Sequence, residues 1–448
     1  MKEKRDQFGS RFAVLAAMTG SAVGLGNLWR FPYLVGTNGG AAFIILYLAF
    51  VLLLCLPIMM SEFMVGRRAK TNVFGTFKVL APGTKWSGIG LLAVICAISI
   101  MSFYSVVGGW TINYLWKAIT FSFQGMDTSQ FSTMFQHSVT NTYEPLIFLF
   151  LFMLFTSIVL VMGIEKGIGS FSKYMMPLLF ILVIAIAIRS VFLKGGGAGL
   201  EFLFKPDFSK ITWSTVLAAM GQAFFSLSLG CGTIMTYGSY VDKKVNIFRT
   251  SSLTAFSDTG FAIIAGIAVM PAVFAYGTSP SEGPGLAFVT LPSIFSQMPF
   301  GSILAIFFFF LLFIAAITSA ISLVEVAVSY LKEEFRMKRG IAIILSMLVI
   351  SVIGVFCSLS QGVLSDVKIF GFNIFDTFDK LSANILMPLG GLLLIIFLGW
   401  KMKKADIMDE LTNQGTISIN HWVKETMYFI VKYIAPVAII VIMVAGLL

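Results

Sequence analysis

The chain has 448 residues, of which 58% are hydrophobic and only 12% are charged. A soluble globular protein carries about 25% charged residues, so this composition excludes a water-soluble enzyme. The net charge of +10 comes without a basic platform interleaved with aromatic residues, which argues against nucleic-acid binding.

Long apolar stretches take up most of the chain. A helix needs roughly 20 mostly apolar residues to cross a bilayer, and eleven stretches meet this condition. The short alternating segments of a membrane β-barrel are absent from the sequence. We therefore predict an all-α polytopic membrane protein with eleven transmembrane helices. The predicted stretches are 12–36, 41–65, 89–119, 145–163, 172–193, 213–240, 253–276, 300–330, 341–358, 373–399 and 427–448.

The loop charges predict an orientation, because Lys and Arg collect on the cytoplasmic side of a membrane. When the amino terminus is placed inside and the stretches alternate, most Lys and Arg fall on the inner side. The long outer segments 121–143 and 277–299 contain neither residue. We predict a multi-pass cell-membrane protein with a cytoplasmic amino terminus and an extracellular or periplasmic carboxyl terminus. The basic charge is then expected to contact lipid.

No pattern in the chain indicates catalysis or a structural metal. The sequence shows no nucleophile elbow, phosphate-binding loop or pair of catalytic carboxylates. The four cysteines all lie within apolar stretches and have no short spacing, which argues against disulfides and zinc. We predict that the protein is not an enzyme.

Two stretches combine clustered glycines with polar side chains. The first contains MTGSAVGLGNLWRF, and the sixth contains GQAFFSLSLGCGTIMTYGSY. Glycine in a membrane helix can simply permit close helix packing. A dense cluster of glycines and polar residues can instead mark irregular backbone, which a bilayer tolerates only where it lines a protected cavity. The two stretches begin the first and the second set of five predicted spans. Because five is odd, the second set would start from the opposite face of the membrane, so a duplicated five-helix unit would be inverted. Paired interruptions of this kind point to the binding site of a secondary transporter.

The longer runs resemble a known family. The first stretch reads GSAVGLGNLWRFPYLVGTNGGAAF, and the eighth contains FLLFIAAITSAISLVE. These runs and the sixth stretch resemble the neurotransmitter:sodium symporter family, from about Arg5 to the tenth stretch. The predicted number of eleven spans is similar to that of the family's bacterial members. The resemblance implies one transport domain over 1–448 with a LeuT-type 5+5 inverted repeat and broken helices 1 and 6. Its halves would cover about 11–195 and 213–400, with an extra helix at about 427–448.

The resemblance also implies a site for an amino-acid substrate. Main-chain amides of the first break and one tyrosine would bind the carboxylate, and oxygen atoms of both breaks would bind the ammonium group. An apolar pocket would hold the side chain, which implies a substrate such as Leu, Tyr, Phe or Trp. The implied residues are Ala22, Leu25, Gly26, Ile100, Tyr104, Phe225, Ser226, Ser228, Cys231 and Leu323.

Two sodium ions are implied, each held by the oxygen ligands that hard cations prefer. The family's chloride is not expected, because Asp258 would supply a fixed negative charge and Ala262 stands where a chloride-coordinating Ser would be expected. Tyr47, Gln222 and Ser226 match the other chloride positions. The implied ligands are Ala22, Asn27, Ser226 and Asp258 for the first ion, and Gly20, Val23, Ala315, Thr318 and Ser319 for the second.

Two gates are implied as well. On the outer side Arg30 would approach Asp379, with Asp376 as the alternative acid. On the inner side Arg5 would pair with Glu333 above Tyr240. Glu62 is expected to brace the unwound part of the first stretch.

The resemblance implies a sodium-coupled symporter that imports hydrophobic or aromatic L-amino acids by alternating access, as a monomer or loose dimer. Two alternatives remain at this stage. One is a sodium-independent amino-acid carrier of the same fold, and the other is a membrane receptor that binds an amino acid without moving it.

Overall fold

The computed structural model describes residues 6–280 and 283–445. In these ranges the chain is helical, and the only β pairing is an isolated bridge between Ile369 and Phe372. The all-α prediction is confirmed. The main helical segments are α1 (Arg11–Ala22), α2 (Gly26–Thr37), α3 (Ala41–Ala69), α4 (Ser87–Ile119), α5 (Glu144–Val161), α6 (Ile164–Val191), α7 (Trp213–Ser226), α8 (Thr233–Ser239), α9 (Ile247–Ala275), α10 (Gly301–Glu334), α11 (Arg339–Leu359), α12 (Ile374–Lys401) and α13 (His421–Val444).

The membrane spans follow the predicted stretches. Within the described ranges, nine helices are long and apolar enough to cross a membrane, and α1 with α2 form a tenth span bent by 47°. The sixth predicted stretch holds α7 and α8, which have 14 and 7 residues and are too short to cross alone. The protein is a multi-pass membrane protein, and the count of eleven spans stays a prediction.

The first break lies close against α10 and α4. α1 ends at Ala22, and the backbone of the next residue, Val23, is extended with φ −71° and ψ 107°. A Cβ on Gly24 would lie 2.3 Å from Ser319 Oγ and 3.1 Å from the hydroxyl of Tyr104. Only glycine fits this position without displacing both hydroxyl groups.

The second break separates α7 from α8 through residues with left-handed backbone. Ser228, Gly230 and Gly232 have φ values of 52°, 83° and 79°. A Cβ on Gly230 would lie 2.0 Å from the carbonyl oxygen of Met387 on α12. Glycine tolerates both the positive φ and this contact, so the cluster in the sixth stretch marks a true interruption of the helix.

α3 and α8 touch through their backbones. A Cβ on Gly66 would lie 2.0 Å from the carbonyl oxygen of Met235, and a Cβ on Gly238 would lie 2.7 Å from that of Phe63. One glycine from each helix therefore permits the contact, as is common between membrane helices.

α3 ends at Ala69, beyond its predicted end at residue 65. Arg67 therefore lies within the helix, where it is buried, and not in a loop. Its guanidinium donates hydrogen bonds to Glu410 Oε2 at 2.8 Å and to the carbonyl oxygen of Val245 at 2.5 Å. Glu410 belongs to the short helix Lys404–Leu411 that precedes α13. This ion pair fixes the chain that follows α12 against α3.

Candidate substrate and sodium sites

The two helix breaks face each other in the interior of the protein. Ser228 Oγ donates a hydrogen bond of 2.9 Å to the carbonyl oxygen of Ser21, and Gln222 Nε2 donates one of 2.9 Å to that of Gly26. Each break leaves main-chain carbonyl and amide groups without partners in their own helix. The breaks therefore offer acceptors and donors in one place.

A cavity lies beside these breaks and contains every predicted substrate residue except Ser226. Gly24, Ser319 and Met387 also line it and were not predicted for it. Met387 comes from α12, so only the packing of that helix could reveal it. The lining residues are Ala22, Gly24, Leu25, Gly26, Ile100, Tyr104, Phe225, Ser228, Cys231, Ser319, Leu323 and Met387.

The cavity has a polar end and an apolar end. At the polar end the main-chain amide of Leu25 donates a hydrogen bond of 3.4 Å to the hydroxyl of Tyr104. The apolar end is formed by Ile100, Leu323 and the buried thiol of Cys231, which donates to the carbonyl oxygen of Ser228 at 3.2 Å. This division matches a small molecule with a charged head and an apolar side chain.

The three predicted side-chain ligands of the first sodium ion, Asn27, Ser226 and Asp258, form a buried cluster. Asn27 Nδ2 donates to Asp258 Oδ1 at 2.8 Å and to Ser226 Oγ at 3.1 Å. The hydroxyl of Tyr47 lies 3.3 Å from both Ser226 Oγ and Asp258 Oδ2. Ser226 thus belongs to this cluster, which explains why it does not line the substrate cavity.

The amide of Asn27 has a defined orientation. Its oxygen accepts a hydrogen bond of 3.1 Å from the main-chain amide of Gly24, whereas its nitrogen faces Asp258. A sodium ion binds oxygen. Ligation by Asn27 therefore requires the amide to turn so that Oδ1 replaces Nδ2 beside the carboxylate.

The five predicted ligands of the second sodium ion also lie together, between the end of α1 and the middle of α10. Thr318 Oγ1 lies 3.0 Å from the carbonyl oxygen of Ala315 and 3.4 Å from that of Val23. Ser319 Oγ lies 3.4 Å from the carbonyl oxygens of Gly20 and Val23. All five donors are oxygen atoms, which suits an alkali cation.

A second cavity lies next to the first and contains both predicted outer-gate residues, Arg30 and Asp379, but not Asp376. The Arg30 guanidinium lies 4.7 Å from the centre of the Phe225 ring. No direct ion pair joins Arg30 to Asp379, both of which belong to the described chain. Leu25, Tyr104 and Phe225 line both cavities and so separate them.

On the side predicted to be cytoplasmic, the structure shows a hydrogen-bonded network that the sequence did not predict. Tyr240 donates its hydroxyl to Glu325 Oε1 at 2.7 Å, and Arg339 binds both oxygens of Glu325 at 3.0 and 2.7 Å. A lone acid in the apolar run SAISLVEVAV was the available signal, since ionisable residues within spans are functional by default.

Glu333 and Glu62 each have hydrogen-bond partners of their own. Glu333 accepts hydrogen bonds from Thr71 Oγ1 at 2.9 Å and from the main-chain amide of Asn72 at 2.8 Å. Arg5, its predicted partner, lies outside the described residues. Glu62 accepts a bond of 2.6 Å from the amide of Gly230. The contact of Glu62 is thus with the second break, and the expectation that it braces the first was wrong.

Comparison with known proteins gives the family. The model of the sodium:neurotransmitter symporter family matches residues 5–132 and 126–448. The chain belongs to this family. Similar members include the uncharacterized sodium-dependent transporter YhdH of Bacillus subtilis, which is 38% identical over 98% of this chain and 97% of its own length. An uncharacterized sodium-dependent transporter of Haemophilus influenzae is 37% identical over 99% of both chains.

A similar solved structure is the crystal structure of MhsT in complex with L-phenylalanine. It is 43% identical, has a TM-score of 0.92, and is matched over 99% of this chain and 100% of its own. The predicted family, the symporter fold, sodium dependence and the absence of enzymatic activity are therefore confirmed. This symporter moves a small-molecule substrate through a membrane in a sodium-dependent manner.

Proposed function

We propose that the protein imports a hydrophobic or aromatic L-amino acid together with sodium by alternating access. The observation that carries this proposal is the cavity between the two helix breaks, with Tyr104 and Leu25 at its polar end and Ile100, Cys231 and Leu323 at its apolar end. The L-phenylalanine bound to MhsT, a relative of similar fold, supports the same substrate class.

The polar end suits a zwitterion. The substrate carboxylate would accept hydrogen bonds from the amides of Leu25 and Gly26 and from the hydroxyl of Tyr104. Its ammonium group would donate to the carbonyl oxygens of Ala22, Phe225 and Ser226, and to Ser228 Oγ. Burying an unpaired charge is costly, so a substrate that lacks either charged group should bind far more weakly.

We infer that two sodium ions accompany the substrate. At the first site the ion would sit beside the Asp258 carboxylate, with Ser226, the carbonyl oxygen of Ala22 and the turned amide of Asn27 as further ligands. The ion would take the place of the Asn27 N–H groups that now face Asp258. Sodium binding at this site is thus coupled to a reorientation of one side chain in the first break.

The second ion would bind the carbonyl oxygens of Gly20, Val23 and Ala315 and the hydroxyls of Thr318 and Ser319. These donors come from the end of α1 and from α10, so the ion would join the part of the chain just before the first break to α10. Loss of the ion would remove this link and free the end of α1.

Chloride is not needed in this proposal. Asp258 is buried and lies next to the first sodium site, where its negative charge offsets that of the cation. A bound anion at the same place would be repelled by the carboxylate.

Alternating access needs one closed and one open side. We propose that Phe225, Arg30 and Asp379 close the outer path, and that Arg5, Glu333 and Tyr240 act on the inner side together with Glu325 and Arg339. The proposed unit is a single domain over 1–448 with a cytoplasmic amino terminus, acting as a monomer or in a loose dimer.

Binding of labelled amino acids to purified protein, with and without sodium, tests the proposal. Leu, Phe, Tyr and Trp should bind in sodium and lose affinity when an organic cation replaces it. Counterflow in proteoliposomes then separates transport from simple binding, because only a transporter exchanges internal for external label. Sodium-independent binding, or a preference for charged amino acids, would contradict the proposal.

A further inference from the structure

A large cavity lies apart from the substrate and sodium sites, at the membrane face where α1 and α9 begin. Its volume is about 500 Å³, and it shares no residue with either of the two cavities described above. Its walls come from the start of α1, the segment before α9, the first turns of α9 and one residue after α12. The lining residues are Arg11, Phe12, Leu15, Lys244, Val245, Asn246, Arg249, Thr250, Leu253 and Ile417.

Three cations converge on this cavity, and no acidic residue lines it. They are Arg11 of α1, Lys244 of the preceding segment and Arg249 of α9. Within the described chain none of the three forms an ion pair. The closest acid in sequence, Asp242, accepts a hydrogen bond of 3.1 Å from the main-chain amide of Lys244. The cavity therefore carries uncompensated positive charge.

The same cavity has an exposed apolar side. Phe12 and Leu253 are 50% and 41% exposed, although both are large apolar residues. Leu15 follows Arg11 by four positions, and Leu253 follows Arg249 by four. Four residues are about one helical turn. On both helices, then, a cation stands at the membrane face and an apolar side chain stands one turn deeper.

We propose that this cavity binds an anionic phospholipid. Its phosphate would lie among Arg11, Lys244 and Arg249, and one acyl chain would run along Phe12, Leu15 and Leu253. Basic pockets between membrane helices suit anionic headgroups in this way. Independent snorkelling would carry each cation separately to the interface, whereas here three cations from three parts of the chain share one cavity.

The lipid would connect two structural elements. Arg11 lies at the start of α1, the helix that carries Gly20 of the second sodium site, and Arg249 lies on α9, against which α1 packs. A headgroup held by both residues would keep the start of α1 beside α9. Anionic lipid would then favour the arrangement in which α1 stays packed.

Native mass spectrometry of the purified full-length protein, titrated with phosphatidylglycerol in detergent, tests the proposal. The triple variant Arg11→Gln, Lys244→Gln, Arg249→Gln should bind the tightest lipid roughly a hundredfold more weakly, since each cation near a membrane surface contributes about fivefold. The control triple Lys85→Gln, Lys166→Gln, Lys403→Gln removes the same charge from exposed positions outside the cavity and should keep that affinity. Equal losses in the two triples would overturn the site.

Further measurements separate lipid from free anion and guard against misfolding. Arg249→Gln alone should weaken phosphatidylglycerol about fivefold, and it serves if the triple variant does not elute as a monodisperse protein. Leu253→Asn should weaken phosphatidylglycerol binding, whereas Leu348→Asn, on the exposed face of α11, should not. Phosphatidylcholine should not compete. Competition by inorganic phosphate or glycerol 3-phosphate at the same concentration as the lipid would show a soluble-anion site and contradict the proposal.

Discussion

Ser226 Oγ donates a hydrogen bond of 2.7 Å to Oδ2 of Asp258. This bond joins the end of α7 to the interior of α9, at a point where both residues are buried. It holds the carboxylate toward the first helix break, where Asn27 reaches its other oxygen. The position of this negative charge leads to the first prediction.

We predict transport that does not require chloride. Asp258→Asn combined with Ala262→Ser removes the fixed charge and adds a hydroxyl one helical turn later on the same buried face. Uptake by this double variant should increase with chloride, because the sodium ion then lacks a counter-charge. Uptake of a labelled amino acid in chloride and in gluconate measures the effect. Asp258→Asn alone is the control, and loss of native uptake in gluconate would show that Asp258 does not serve as the counter-charge.

Removal of a sodium ligand should raise the sodium concentration needed for half-maximal substrate binding. Asn27→Ala tests the first site and Thr318→Ala the second, since each substitution removes an oxygen ligand. Ser329→Ala removes a buried hydroxyl from the same helix as Thr318, remote from both sites, and is the matched control. Binding measured over a sodium titration gives the result. Unchanged sodium dependence in both ligand variants would rule out the two-site assignment.

Cys231 should limit the size of the substrate. Its thiol lies in the cavity wall, and Cys231→Phe fills space that a large substrate side chain would use. Overpacking costs about 1–3 kcal/mol, so binding of Trp and Tyr should weaken more than binding of Ala and Val. Competition binding with these four amino acids measures the shift, and Cys231→Ala should retain the native order. A uniform loss for all four would place Cys231 outside the pocket.

Gly24→Ala should impair both substrate and sodium binding. The added methyl group would meet Ser319 Oγ at 2.3 Å and the Tyr104 hydroxyl at 3.1 Å, which are candidate ligands of the second sodium ion and of the substrate. Gly221→Ala is the control, because a Cβ there has no atom within 4 Å and Ala stabilises a helix interior by about 1 kcal/mol. Sodium-dependent binding and thermal unfolding are measured for both. Native binding by Gly24→Ala would contradict the close approach at this break.

Glu325 should be important for stability through its partner Arg339. Glu325→Gln leaves a largely buried guanidinium without its counter-charge, and loss of one member of a buried pair costs about 3–5 kcal/mol. Tyr240→Phe removes a hydrogen bond but keeps the pair, so its effect should be about 1 kcal/mol. The double variant Glu325→Gln, Arg339→Gln should recover part of the loss. Thermal unfolding in one detergent compares the variants, and a smaller effect for Glu325→Gln than for Tyr240→Phe would refute this reading.

Much of the fold could be predicted because bilayer crossing imposes length and polarity on each span. The Gly-rich runs indicate both breaks, since close contacts with hydroxyl groups at Gly24 and with a main-chain carbonyl at Gly230 exclude a side chain. The full lining of the substrate cavity could not be predicted from the sequence. Met387 enters it from a helix whose lateral position depends on packing, and a pattern along one helix does not give that position.

Other features depend on partners distant in the sequence. The predicted end of the second stretch at residue 65 leaves Arg67 in a loop, whereas Glu410, 343 positions later, binds it in the interior. Glu325 and Glu333 both lie on α10, and only the contacts of Tyr240 and Arg339 with Glu325 distinguish them. The orientation of the Asn27 amide is set by Gly24 and Asp258 together, so no local pattern could have predicted it.

The backbone contact between α3 and α8 limits how the protein can move. Gly66 and Gly238 bring the two main chains so close that neither helix can slide along the other without a collision at Met235 or Phe63. A displacement of α8 must therefore carry α3 with it, so the two helices move as one rigid body. Spin labels attached to this pair should keep a constant separation whatever ligand is bound.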